Sequence, residues 1–381
     1  MPEPRPGASL VRGSPYDPAA PAPGMALCLS GGGFRAMLFH VGALWRLNEL
    51  GWLPKLERIS SVSGGSITSA LIALRWSRLG FGSDDIATRF DSEVVQPLRA
   101  FAKRTVDACA VAVGMLPFTD ANARVIAAYR KHLYGQGTLQ DFPDRPRFVI
   151  NATNIQSGVL WRFSKPYMRD YLVGEVLKPT LRIADAVAAS SAFPPFLSPA
   201  QIKVERGAYS PPSGEPLHSD AYLLKPVLSD GGVYDNLGLE TTWKRYDTIL
   251  VSDAGLRMAA DDSPAFDWIR HSKRVLDVID NQVRALRKRQ LIHAFQVKER
   301  KGTYWGIRSH TADYGLPNPL PAPPDRVAEL AAIDTRLAPM SEDHEERLIN
   351  WGYAICDTAL RTWVDRAAPP PRGFPYPARG V

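Results

Sequence analysis

Ile59-Ser60-Ser61-Val62-Ser63-Gly64-Gly65-Ser66, continued by Ile67-Thr68-Ser69-Ala70-Leu71-Ile72-Ala73-Leu74, is the stretch whose reading decides the fold. The short apolar run that ends at Val62 reads as a buried strand. Two glycines then remove side-chain bulk, and apolar residues at Ile67, Leu71 and Leu74 recur at helical spacing. A strand, a tight turn and a helix with a serine on the turn make a nucleophile elbow, which exposes the hydroxyl at a sharp corner and aims the helix N-terminus at it. Ser63 is the candidate nucleophile. The local pattern is S-x-S-x-G, with Ser61 where the common elbow has glycine, so these five residues alone also fit a Ser/Gly turn that caps a helix.

Toward the N-terminus, Met25-Ala26-Leu27-Cys28-Leu29 reads as another buried strand, and Ser30-Gly31-Gly32-Gly33-Phe34-Arg35-Ala36 follows it directly. A helix with Met37, Leu38, Val41, Leu44 and Trp45 on one side comes next, and Gly51 and Pro54 end it. Glycines let backbone N–H groups converge on one point, which suits either a phosphate or the oxyanion of acyl transfer. A dinucleotide fingerprint requires glycine where Ala36 stands, and no G-K-[ST] ending marks a phosphate-binding loop. The oxyanion is favoured because consecutive parallel strands of an α/β sheet bring both turns to the same edge.

Serine needs a base within hydrogen-bonding reach, either a histidine or a carboxylate shielded from water. Asp230 follows the strand-like Pro226-Val227-Leu228 and precedes Gly231 and Gly232, which places it at a strand end facing the cleft. His40 lies on the helix after the glycine loop, in a position suited to packing or hydrogen bonding. His271, His293, His310 and His344 follow Asp230 and allow a Ser-Asp-His order. Asp253, after Thr248-Ile249-Leu250-Val251-Ser252, is a reserve acid whose simpler role is a strand-end turn or helix cap.

Three stretches, in order, resemble the signatures of the patatin-like phospholipase family: Leu29 to Ala36 with His40 and Gly42; Ser63-Gly64-Gly65; and Leu228-Ser229-Asp230-Gly231-Gly232-Val233-Tyr234-Asp235-Asn236-Leu237-Gly238. Residues 148–154 and 189–196 are similar to further blocks of that family, so the resemblance covers residues 26 to 255. It implies a three-layer α/β/α sandwich with a mainly parallel central sheet, a Ser63/Asp230 dyad and a lipid acyl hydrolase of phospholipase A or lysophospholipase type. No cofactor or metal is expected for that chemistry. The loop of Gly31, Gly32, Gly33, Phe34 and Arg35 is the expected oxyanion hole, with main-chain amides as donors. Arg35 braces the loop or faces a substrate phosphate. Acyl transfer, hydrolysis of soluble esters or thioesters, and non-catalytic lipid or nucleotide binding on the same fold are the alternatives.

Composition sets the remaining bounds. The chain has 381 residues, 45% of them apolar, and no uninterrupted apolar run approaches the roughly 18 residues of a membrane span. Residues 1–24 read as a disordered Pro-rich leader without a signal-peptide core, which makes the cytoplasm the expected compartment. Cys28, Cys109 and Cys356 match no metal or disulfide spacing, and no D-x-D-x-D-G calcium run occurs. Of the formal net charge of +7, most lies in residues 271–301, where nine Lys/Arg stand against three acids. Val275, Val278, Ile279, Val283 and Leu286 there repeat at helical spacing, which predicts an amphipathic helix with a basic exposed face and an anionic membrane surface as its candidate partner. No nucleic-acid motif accompanies the charge, so nucleic acid is not an expected partner.

The apolar patch from Val94 to Leu116 is read as core or as the lining of an acyl-chain groove. Residues 201–225 are an insertion expected near the cleft as a loop, hairpin or lid. The expected organisation is a catalytic domain over 25–255, a helical extension over 256–366 packed on it, and a disordered Pro-rich tail over 367–381.

Overall fold

The structure, a computed structural model, describes residues 21–106, 121–195 and 197–381. The leader up to residue 20, the run from Cys109 to Leu116 and Phe196 lie outside the described residues. β1 (Ala22–Leu29) leads through the glycine loop into α1 (Gly33–Glu49), and β2 (Leu56–Val62) leads through Ser63 into α2 (Gly64–Arg75). After helical segments at Gln96–Ala102 and Ala121–Tyr129 come β3 (Arg147–Asn154), β4 (Val159–Phe163), β5 (Tyr167–Asp170), β6 (Gly174–Leu177) and α3 (Ile183–Ser190). They are followed by β7 (Ala200–Gln201), β8 (Val227–Asp230) and β9 (Tyr246–Asp253). The C-terminal part supplies α4 (Trp268–Gln296), β10 (Lys301–Gly306), α5 (Pro324–Ala332) and α6 (Glu342–Trp363).

One sheet runs β10-β9-β1-β2-β3-β4-β5-β6, parallel from β10 to β3 and antiparallel beyond it. Successive side chains of a strand point to opposite faces, and β1 and β9 use this to serve two cores. Leu27, Leu29 and Leu250 join Met37, Leu44 and Leu348 in the main core, while Cys28, Ile249 and Val251 meet Leu237, Leu239 and Leu291 on the other face. Helices thus flank a mostly parallel central sheet. Burial pushes the Cys28 thiol up to about 12, in keeping with a small buried hydrophobe.

The C-terminal part is welded to the rest by two glycines. A Cβ on Gly42 of α1 would lie 1.9 Å from the Ile349 carbonyl oxygen, and one on Gly352 of α6 would lie 1.9 Å from that of Phe39. Only glycine lets the two backbones approach this closely. Beside the crossing, buried Arg46 Nε donates to Asp357 Oδ1 at 2.9 Å.

The C-terminal extension is mainly helical and also adds one strand, because β10 joins the sheet parallel to β9. Three sequence expectations change here. The tail is not disordered: Asn350 donates to the carbonyls of Tyr376 at 2.8 Å and Gly380 at 2.6 Å, and Arg46 donates to that of Pro369. Proline-rich chain leaves its carbonyls unpaired, and these side chains of α1 and α6 satisfy them. The insertion lies away from the cleft, against the β5–β6 end of the sheet, where Ser210 N–H donates to Glu175 O at 2.8 Å and Leu217 N–H to Leu172 O at 2.9 Å.

The third change concerns α4. Its apolar residues Val275, Leu276, Val278, Ile279 and Leu286 are exposed, whereas Arg274, Asp277, Asp280, Arg284 and Arg287 take the sheltered side. That side crosses polar ground: Arg284 lies 3.7 Å from Asp253 and Arg287 lies 3.7 Å from Asp235. Only near its C-terminal end, at Leu291 and Ala294, does the helix reach a buried apolar setting. No helix among the described residues is long and apolar enough to cross a membrane.

Gly42→Ala and Gly352→Ala should each lower the unfolding free energy by about 2 kcal/mol or more, since neither neighbouring backbone can yield. Urea denaturation measures this, and losses within the scatter of surface substitutions would refute the weld.

Candidate active site

Ser63 and Asp230 come together because two strands share one edge of β3. β2 runs parallel to β3 and ends with Val62 level with Asn151. β8 comes from the other direction along the same edge and ends with Asp230 level with Ala152, the next residue of β3. The opposite edge is already taken by β4, which pairs Asn151 with Arg162 and Ala152 with Trp161. The two strand ends therefore meet head-on, and the chain must leave the sheet at both.

At the β2 end the exit is strained. Ser63 has φ 49° and ψ −118°, a conformation costly for a residue with a side chain. Its amide donates to Ser190 Oγ at 2.9 Å, and Ser190 Oγ donates to the Asn151 carbonyl at 2.6 Å, so α3 and β3 hold the corner. Ser61, the departure from the common elbow pattern, is fully buried and accepts from Ser69 Oγ at 2.6 Å and Ser66 Oγ at 3.1 Å. Its hydroxyl belongs to the buried support of the turn. Gly64 backs onto the glycine loop, where a Cβ would sit 2.2 Å from the Gly33 oxygen.

Asp230 is 2% exposed, and no salt bridge reaches it among the described residues. Gly232 N–H donates to its Oδ1 at 2.7 Å, and the Ser63 hydroxyl donates to its carboxyl. Burial pushes its pKa up to about 7 against the lowering effect of those two donors. Asp253 is equally enclosed but differs in its partners. Burial pushes its carboxyl up, and Arg284, the Gly255 amide at 2.9 Å and the Tyr304 hydroxyl at 2.7 Å outweigh this and hold it below the usual carboxylate range. It is a braced anion at a strand end, separate from Ser63.

The histidines stand apart. His40 is fully buried, with Nε2 2.9 Å from the Ser30 carbonyl and Nδ1 2.8 Å from Ser252 Oγ. Nε2 must therefore carry the hydrogen, leaving Nδ1 to accept, and burial pushes the ring down to about 4, so it stays neutral. His271, His293, His310 and His344 do not line the cleft that holds Ser63 and Asp230.

The glycine loop borders the same cleft, and its amides divide into two kinds. Gly31 N–H donates to the Asn236 carbonyl at 3.1 Å and Phe34 N–H to that of Arg336 at 3.0 Å, so two of the expected oxyanion donors are occupied. The amides of Gly32 and Gly33 have no backbone acceptor among the described residues, and neither has that of Gly64. Gly32 and Gly33 adopt φ 140° and 59°, which glycine takes without strain. Arg35 is fully buried and donates to Ala331 at 3.0 Å, Ile333 at 2.6 Å and Ala254 at 2.6 Å. It ties the loop to the C-terminal part through carbonyl oxygens and does not line the cleft.

Sequence reasoning overlooked three residues. Gly64 was legible as the residue after the nucleophile, whose amide conventionally completes the hole. Ser190 and Asn236 carry no local signal, since their roles come from α3 and the β8 turn arriving beside Ser63. Asn236 Oδ1 would be 2.5 Å from a Cβ on Gly31 and 2.7 Å from one on Gly232, so it fills the gap between the two turns. The cleft measures about 590 Å³ and adds apolar Phe193, Leu197, Leu256, Met258 and Leu337 to the polar centre. No group of three or more His, Cys, Asp or Glu suited to a metal occurs among the described residues.

The sequence profile of the patatin-like phospholipase family matches residues 27–243, from β1 through both strand ends. The chain belongs to the patatin-like phospholipase family. No curated protein matches the sequence. Human GIVD cytosolic phospholipase A2, solved in complex with methyl γ-linolenyl fluorophosphonate, shares the fold with a TM-score of 0.50 at 16% identity. That match covers 88% of this chain and 57% of the human one. VipD from Legionella pneumophila aligns over 89% of this chain and 66% of its own at 13% identity, with a TM-score of 0.36. This patatin-like chain thus spans less than two thirds of the length of either.

Ser190→Ala removes the acceptor of the Ser63 amide. Labelling of Ser63 by an alkyl fluorophosphonate should slow by about 10- to 100-fold while the far-ultraviolet circular dichroism is unchanged; an unchanged labelling rate would show that α3 does not hold the corner.

Proposed function

We propose that this patatin-like protein is a lipid acyl hydrolase of phospholipase A or lysophospholipase type that works through a Ser63/Asp230 dyad. The observation that carries the reading is the Asp230 carboxyl: buried, without a cation partner among the described residues, hydrogen-bonded by the Ser63 hydroxyl and pushed up to about 7. Most buried carboxylates that only stabilise a fold are paired, as Asp253 is. A base poised near neutrality and touching a strained serine has the properties acyl transfer needs.

The chemistry follows from the positions. Ser63 Oγ attacks the acyl carbonyl carbon while its proton passes to the Asp230 carboxylate. The Gly32, Gly33 and Gly64 amides hold the oxyanion of the tetrahedral intermediate, with the α2 N-terminus behind them. Protonated Asp230 gives its proton to the leaving alkoxide, and Ser63 keeps the acyl group as an ester. Water then attacks this ester, Asp230 again taking a proton, and as the bond from the acyl carbon to Ser63 Oγ breaks Asp230 returns that proton to Oγ, releasing the fatty acid and restoring the serine and the carboxylate. No step calls for a metal. Apolar Phe193, Leu197, Leu256, Met258 and Leu337 suit an acyl chain in the cleft.

Intact-mass labelling with an alkyl fluorophosphonate, run beside hydrolysis of a phospholipid and a short-chain ester, tests the assignment on wild type, Ser63→Ala and Asp230→Asn. Label and both activities should disappear in Ser63→Ala, and Asp230→Asn should lose about 100-fold or more in rate. Wild type that neither takes the label nor cleaves either ester would refute the proposal. Because the ionised carboxylate is the base, kcat/KM should rise with pH to half its plateau near pH 7 and fall to about a tenth of it one unit lower. A profile flat from pH 5 to pH 8 would contradict a base of raised pKa.

A further inference from the structure

Helix α4 is amphipathic in reverse. A helix on the surface of a water-soluble domain turns its apolar stripe inward and its charges outward. In α4, Arg274, Asp277, Asp280 and Arg284 line the catalytic cleft, while Trp268, Leu276 and Ile279 face solvent at 77%, 57% and 50% exposure. Val275 and Leu286 extend the same outer stripe. The sheltered side is held by polar contacts: Arg284 donates to the Leu256 carbonyl, and Arg274 donates to that of Ala259 at 2.8 Å. An apolar stripe of this length is costly in water unless something covers it.

We propose that the outward stripe of α4 is a lipid-docking face that seats the cleft on an anionic bilayer, an inference that rests on the lipid hydrolase reading. Three observations select this occupant. The helix that carries the stripe also forms a wall of the cleft, so a surface that covers the stripe lies beside the cleft mouth, which exposed Leu256 and Phe193 also border. Charge is the second. The helix carries seven Lys/Arg (270, 273, 274, 284, 287, 288 and 289) against Asp277 and Asp280, which border the cleft. Arg270 pairs with Asp267, Lys273 with Asp277 at 2.8 Å, and Lys288 lies 4.2 Å over the Tyr304 ring, while Arg289 stands exposed beside the stripe, so the face is net cationic. Anionic headgroups complement such a face, whereas a second copy of the chain packed across a two-fold axis would set cations against cations. Third, the stripe begins with Trp268 next to fully exposed Phe266, and aromatic side chains suit the headgroup boundary. The basic character read from the sequence thus accompanies an apolar insertion surface.

Sedimentation of the full chain with phosphatidylcholine vesicles, with and without phosphatidylglycerol, tests the proposal on wild type, Leu276→Glu/Ile279→Glu and Trp268→Ala. Wild type should bind the anionic vesicles, more weakly as salt rises. The double variant should partition at least about tenfold less and Trp268→Ala about threefold less. Fluorophosphonate labelling and short-chain ester hydrolysis should stay within about twofold of wild type, since none of the three substituted residues lines the cleft. The proposal is overturned if wild type ignores anionic vesicles, if the double variant binds as wild type does, or if light scattering shows a wild-type oligomer that the double variant dissolves. If Ser63 takes no label while vesicle binding still follows the stripe, the hydrolase reading fails and the docking face stands.

Discussion

The end-to-end meeting of β2 and β8 on one edge of β3 is the constraint on which the rest depends. A strand edge has one row of hydrogen-bonding groups, and two strands that approach along it from opposite directions must both leave the sheet where they meet. β2 leaves through the strained Ser63, and β8 leaves through Gly231 and Gly232 after Asp230. The same geometry explains the electrostatics. A carboxyl at a strand end inside the sheet is out of water, and its companions are a glycine amide and a hydroxyl, too few donors to offset the loss of hydration. The pKa is raised by burial, with a small push from the Asp280 charge and no cation beside it among the described residues, and that separates Asp230 from Asp253, which has Arg284 and Tyr304.

Support for this corner comes from two directions. Behind the elbow, buried Ser61, Ser66, Ser69 and Ser190 exchange hydrogen bonds and fix its backbone. In front, Arg35 spends its guanidinium on three carbonyls and so binds the glycine loop to residues 331–333. The C-terminal part is for that reason a structural member of the site. Gly42 and Gly352 clamp it from below, and the carbonyl of Arg336 takes the Phe34 amide, which leaves Gly32 and Gly33 as the free donors of the loop.

What was legible in the sequence follows from which physical signals are local. Strand, turn and helix around Ser63 and around the glycine loop are written in apolar spacing and glycine placement, and the structure forms both where the pattern puts them. Asp230 was legible as a strand-end acid, but not that β8 runs antiparallel into the end of β2. That is a long-range pairing with no local signature. The reading of α4 failed for an instructive reason. Helical periodicity says which residues share a face and nothing about what the face meets, and in this helix the neighbour is a polar cleft instead of a core. The Pro-rich tail misled in a similar way, since its composition lacks apolar side chains, while its order comes from backbone carbonyls that Asn350 and Arg46 bind. The amides of Gly31 and Phe34 were expected to be free, and only the packing of Asn236 and Arg336 shows their engagement.

The proposed role of Asp230 as the base for Ser63 rests on burial without a cation partner among the described residues, which pushes its carboxyl up to about 7. Difference infrared spectra of wild type minus Asp230→Asn, followed through a pH titration, read that carboxyl directly through the C=O stretch of its protonated form. The account predicts a protonated-acid band that is present at pH 5 and disappears with a midpoint near pH 7. A band already lost at pH 5, as for an ordinary aspartate, would contradict it, and the base for Ser63 would have to be sought elsewhere.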